Sequence, residues 1–167
     1  MTHNSFRPLL VSALVMVALA RCDEFEVPIT AEPTRHVESA LLGDWLMVDE
    51  GGHPRNYSKD RVRIRPYDQS TYVVNHNDAL YRAWHSDVDG LPLITLQSID
   101  SDERKYQYWT WRVSDDGSEM TLRSIGAVSK SSGLIPTDAR DSATIVDIIR
   151  KNRESAQLFG GPVRFSK

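Results

Sequence analysis

From residue 43 to residue 126 the chain alternates apolar and polar residues in short runs, separated by turn signals at close intervals. Arg61-Val62-Arg63-Ile64-Arg65 and Glu119-Met120-Thr121-Leu122-Arg123 each send every second side chain to one face, the period of a strand with one wet side. Lys105 to Val113, "KYQYWTWRV", concentrates aromatic residues of high β propensity. Between the runs stand "DEGGHPRNYSKD" (49–60), "YDQS" (67–70), "NHND" (75–78), "SDVDGLP" (86–92), "DSDER" (100–104) and "SDDGS" (114–118), all rich in residues that suit tight turns. Parallel strands need helical crossovers, and these gaps leave no room for them. The pattern predicts seven strands joined as hairpins, at 43–49, 60–66, 70–75, 79–85, 92–99, 104–113 and 118–126.

One helix stands out after them. Asp141 or Ser142 caps its start, Ile145, Ile148 and Ile149 form an apolar stripe to lie against the sheet, and Arg150, Lys151 and Arg153 complement the dipole at its end. Pro162 to Ser166 can then return as an eighth strand beside the first, hinged at Gly160-Gly161. Closing into a barrel removes the edges of such a sheet. The expected fold is therefore mainly β: an antiparallel eight-stranded meander closing into a barrel, with one C-terminal α-helix.

The stretch "LLGDW", Leu41 to Trp45, adds a motif. Gly43-x-Trp45 at the start of the first strand resembles the Gly-x-Trp signature of the lipocalin and calycin barrels, and the order of elements is similar to theirs. The resemblance implies a lipocalin-like barrel whose closed end is plugged by Trp45 and whose interior takes a small apolar ligand. The family's Thr-Asp-Tyr loop is missing, and Arg112 or Arg123 is all that could imitate its late arginine. Trp109 and Trp111, two apart and so on one strand face, read either as core or, with Trp45, as ligand-binding residues.

The amino-terminal residues concern address. Arg7 precedes Leu9 to Ala20, an uncharged apolar run that as a helix spans roughly 18 Å at 1.5 Å per residue, short of the ~30 Å hydrocarbon core. It matches the apolar region of a secretory signal. Ala18-Leu19-Ala20 fits a general signal peptidase site, which would release a soluble periplasmic or secreted chain. Leu19-Ala20-Arg21-Cys22 resembles the lipobox of bacterial lipoproteins, with Arg21 where that pattern has Gly, Ala or Ser. The chain's one cysteine cannot form an internal disulfide, and it stands where lipidation would use it.

The expected organisation is a lipoprotein signal peptide at 1–21, a flexible tether at 22–36 beginning with lipidated Cys22, and a single barrel domain at 37–167. Removal of Arg7 and Arg21 with no acid takes the net charge from −3 to −5, so acyl chains, at about 0.8 kcal/mol per buried CH₂, must supply the membrane affinity. The protein is then exported and anchored facing the periplasm. Asp23, by the sorting rule of enteric lipoproteins, points to the inner membrane, with the outer membrane as the alternative.

Scattered Lys and Arg and a negative balance argue against a nucleic-acid partner. His85-Ser86-Asp87-Val88-Asp89-Gly90 lacks the spacing of a calcium loop, and Asp89-Gly90 suits a hairpin turn. His36, His53, His76 and His85 match no zinc pattern, so no metal or cofactor is expected. A hydrolase built on His85 or His76 has no readable nucleophile, base and orienter, and Asp100, Asp102 and Glu103 read as a solvated acidic turn. Asn56-Tyr57-Ser58 fits a glycosylation acceptor, which a bacterial lipoprotein is not expected to use. The expectation is a non-enzymatic, membrane-anchored envelope lipoprotein whose barrel binds a small apolar ligand. The alternative is a solid barrel, filled by Trp45, Met47, Val62, Ile64, Trp109, Trp111, Met120 and Leu122, that engages an envelope protein partner through loops such as 49–60.

Overall fold

The computed structural model describes residues 24–55, 60–100, 102 and 104–167. The expected signal peptide, Cys22, Asp23, the Asn56-Tyr57-Ser58 acceptor and Glu103 lie outside the described residues. Eight strands, β1 (Gly43–Met47), β2 (Arg61–Pro66), β3 (Thr71–His76), β4 (Ala79–His85), β5 (Ile94–Ser98), β6 (Tyr106–Val113), β7 (Glu119–Ile125) and β8 (Val163–Ser166), form a closed barrel in chain order. All neighbours are antiparallel. β8 closes the ring by pairing Val163 with Leu122 of β7 and Phe165 with Met47 of β1.

Local chemistry explains the corners. Asn77 and Asp78 join β3 to β4 with both φ angles positive, 54° and 63°, the twist that a two-residue hairpin needs and that Asn and Asp tolerate. Asp89 and Gly90 do the same, at 47° and 82°, inside a small turn closed by a bridge from Val88 to Leu91.

Alternation along the strands sorts the apolar side chains into two separate cores. Inward-facing Trp45, Val62, Ile64, Tyr72, Val74, Ala83, Ile94, Trp111, Met120 and Phe165 make the first. The second lies outside the barrel wall, where Tyr108 of β6 and its partner Ile125 of β7 meet Ile145 and Ile149 of α2 (Ser142–Asn152). The helix begins where Asp141 accepts the Thr144 N–H at 3.1 Å, so the expected cap and stripe are both present, with Ile148 only partly buried. A shorter helix, α1 (Ala127–Ser131), was not expected, because five residues carry no readable period.

Residues 24–36, expected to be a flexible tether, are instead packed against the barrel. Phe25 and Ile29 are 3% and 2% exposed. Phe25 exchanges both backbone hydrogen bonds with Tyr106, at 2.8 and 2.9 Å, occupying the flank of β6 beyond its last β7 partner, and its ring stacks on Tyr108 at 4.2 Å. The Tyr108 hydroxyl donates to the Val27 carbonyl, Ser142 Oγ to Pro28 O at 2.6 Å, and Trp84 Nε1 to Thr30 O at 3.0 Å. Phe25, Val27 and Ile29 alternate as a strand does, and burying such side chains is worth about 1.5–3 kcal/mol each. Pro28 and Pro33 stop the segment from continuing as a ladder without keeping it off the surface. The folded unit therefore begins by Glu24, ahead of the expected start near Val37.

Candidate functional site

The end of the barrel where β1 begins is sealed. A single 3-10 turn, Ser39–Leu41, crosses it, and Trp45 Nε1 donates to the Leu41 carbonyl at 2.9 Å, so the one polar atom of a fully buried indole is satisfied. Lys167 Nζ lies 4.6 Å over the Trp45 ring. The late cation against this tryptophan is thus Lys167, while Arg123 lies over Phe159 at 4.8 Å and donates to Gly160 O at 3.1 Å.

Beside Trp45, Tyr72 Oη accepts the Glu38 N–H at 2.7 Å and sits 2.6 Å from His85 Nε2. His85 is buried, its centroid 4.9 Å from that of Trp111, and its Nδ1 has no hydrogen-bond partner. Burial, reinforced by the Arg35 charge, brings its pKa down to about 4, so the ring is neutral at neutral pH. Arg35 stands 5.1 Å over the Trp111 ring and pairs with Asp87 at 2.7 Å.

Above this floor the barrel keeps an open space of about 140 Å³. All eight strands line it, from Met47 of β1 through Ile64, Val74, Ala83, Leu96, Trp109 and Met120 to Phe165 of β8, with Leu41 of the 3-10 turn. The lining is apolar and aromatic apart from the histidine of β3, the tyrosine hydroxyls and one amide. His76, Tyr81 and Gln107 lie at the end away from the 3-10 turn, where β3 finishes and β4 and β6 start. Trp109 Nε1 donates to Gln107 Oε1 at 3.3 Å, and the Gln107 side chain faces the Tyr81 hydroxyl. Burial lowers the pKa of His76, against a smaller opposing influence from Asp60. Burial also raises that of Tyr81, as do the carboxylates of Asp100 and Glu24. Both groups are uncharged at neutral pH.

Two of the three expected ligand-binding residues reach this space and one does not. Trp109 and Trp111 line it. Trp45 is sealed beneath it and is not among the lining side chains, because the start of β1 lies at the capped end. All eight residues expected to fill a solid barrel face inward, and all but Trp45 line the space that they leave open. Tyr72, Tyr81 and Gln107 were not singled out in the sequence, and His76 was weighed there only for zinc and for hydrolase chemistry. The period-two rule, run along β3, β4 and β6 from Val74, Ala83 and Trp109, selects all four.

The histidine readings end differently. Consecutive strand residues face opposite ways, so Ser86 turns from His85, and its Oγ accepts hydroxyl donors from Thr30 and Thr95 at 2.8 Å each. Serine and histidine are therefore not brought together. Among the described residues no group of three His, Cys, Asp or Glu side chains could hold a metal ion, and no helix is long and apolar enough to cross a membrane. Comparison of the chain with protein-family models, with curated proteins and with solved structures gave no match in any of the three.

Proposed function

We propose that this protein is an exported envelope lipoprotein, anchored through Cys22, whose barrel carries a small apolar ligand in its lumen. The observation that carries the binding reading is the retained space of about 140 Å³ with an apolar, aromatic wall. Protein interiors are close-packed, and a void of this size forfeits contacts on every side, so a core kept open in a wall otherwise well supplied with large side chains is the mark of a binding site. The anchor reading rests on Leu19-Ala20-Arg21-Cys22 and on the apolar run before it.

Native mass spectrometry of the protein purified gently from its own host tests the binding reading. A bound apolar small molecule supports it, and a clean apo mass with a co-purified protein supports an interaction module in its place. The anchor has its own test. Cys22→Ser is expected to move the protein from the detergent phase to the soluble fraction, and a variant that stays membrane-bound and uncleaved contradicts lipidation.

A further inference from the structure

We infer that the ligand is a small alcohol or phenol, with an apolar body of about one ring and a single uncharged hydroxyl seated between His76 and Tyr81. This deepens the reading of the lumen as a binding site and rests on it. Size comes first. An apolar cavity of about 150 Å³ accepts benzene, so a space of about 140 Å³ holds one ring and few further atoms, far less than a long acyl chain.

The polar lining then selects the head group. Gln107 is engaged on its oxygen by Trp109 and lies near enough to Tyr81 to act on it, and the neutral Tyr81 phenol carries an O–H that can donate. His76 lines the same space, and its ring makes no hydrogen bond among the described residues. A neutral imidazole presents one lone-pair nitrogen whichever nitrogen carries the proton. His76 pairs with Ala79, and Val74 with Tyr81, so His76 and Tyr81 are diagonal neighbours on one face, with Cβ atoms under ~8 Å apart. A donor and an acceptor at that spacing suit a group that both accepts and donates. A hydroxyl does both, an ammonium cannot accept, and a carboxylate cannot donate.

Charge removes the carboxylate a second time. The cavity lining contains no Lys or Arg, whereas Asp60 acts on His76 and Glu24 and Asp100 act on Tyr81. An anionic head would enter a wall without a cation, in the field of the carboxylates that act on His76 and Tyr81.

Calorimetric titration of the processed full-length protein in lipid nanodiscs, with empty discs as blank, tests this with 4-methylphenol, toluene and 4-methylbenzoate. The expected order is 4-methylphenol about five- to tenfold tighter than toluene, the net return of a hydrogen-bonded hydroxyl, with 4-methylbenzoate weakest. Tyr81→Phe, which removes one oxygen, and His76→Leu should each bring the phenol towards toluene while toluene binding persists, and that persistence also reports a folded variant. If toluene binds and the phenol is no tighter, if the benzoate is tightest, or if neither variant changes the ratio, the head-group assignment is overturned and the lumen reading stands. If none of the three probes binds, the lumen reading fails and takes the assignment with it.

Discussion

The barrel wall separates two apolar interiors built from similar residues to different ends. Outside it, Leu93, Tyr108, Ile125, Ile135, Ile145, Ile149 and Leu158 are at zero exposure and pack together between strand, helix and the amino-terminal segment. Inside it, Val62, Ile64, Val74 and Trp111 keep 5–8% exposure around a space of about 140 Å³. Two strands, β6 and β7, serve both, because their alternate residues point to opposite sides. The lesson is that the lumen need not be filled if the helix and the amino-terminal segment carry the fold from outside.

The sharpest way to break this contrast is a pair of truncations. Ile149→Ala, in the outer core, is expected to cost about 4 kcal/mol, within the range for deleting a fully packed aliphatic side chain. Leu122→Ala, on the lumen wall beside existing space, is expected to cost about 1–2 kcal/mol, since it removes fewer contacts. Urea unfolding of both variants gives the difference, and equal losses would mean that the lumen is as tightly packed as the outer core.

A second contrast lies in pH. His85 at the sealed end of the lumen has a pKa of about 4 against an ordinary value of 6.5. Its neutral form is the one folded, so its contribution is complete above pH 6.5 and is lost as pH falls towards 4. Tyr108, in the outer core, has its pKa raised by burial above 10.0, so its contribution is present below pH 10 and is lost as pH rises further. His85→Leu should flatten the acid limb of the stability profile and leave the alkaline limb, and Tyr108→Phe should do the reverse. Unfolding midpoints measured from pH 4 to pH 11 check both signs.

The smallest effect expected concerns how the outer core is oriented. Asp141→Ala removes the side-chain acceptor at the start of α2 and should cost about 1 kcal/mol. It should leave toluene binding in the lumen unchanged.

The strands were legible because one face of each had to be apolar. Arg61 to Arg65 and Glu119 to Arg123 announce themselves by period, and the turn residues between strands fixed the order of a meander. The helix was legible from Asp141 and from the spacing of Ile145 and Ile149. What the sequence hid were contacts that depend on closure. Phe25 and Ile29 sit among prolines and acids, and only the bare flank of β6 beyond β7 explains why they are buried. Trp45 reads as a lumen residue until the 3-10 turn is seen to cap the end where it lies. His76 and Tyr81 are diagonal neighbours on one hairpin, but Gln107 of β6 joins them only when the sheet curls into a ring.

Xenon pressurisation of crystals of the protein tests the contrast between the two interiors most directly, since xenon enters apolar voids and marks them with heavy scattering. The account predicts a xenon site in the lumen between Ile94, Trp111 and Met120, and none under α2 between Ile145, Ile149 and Tyr108. Xenon under the helix with none in the lumen, or none in either, would contradict it.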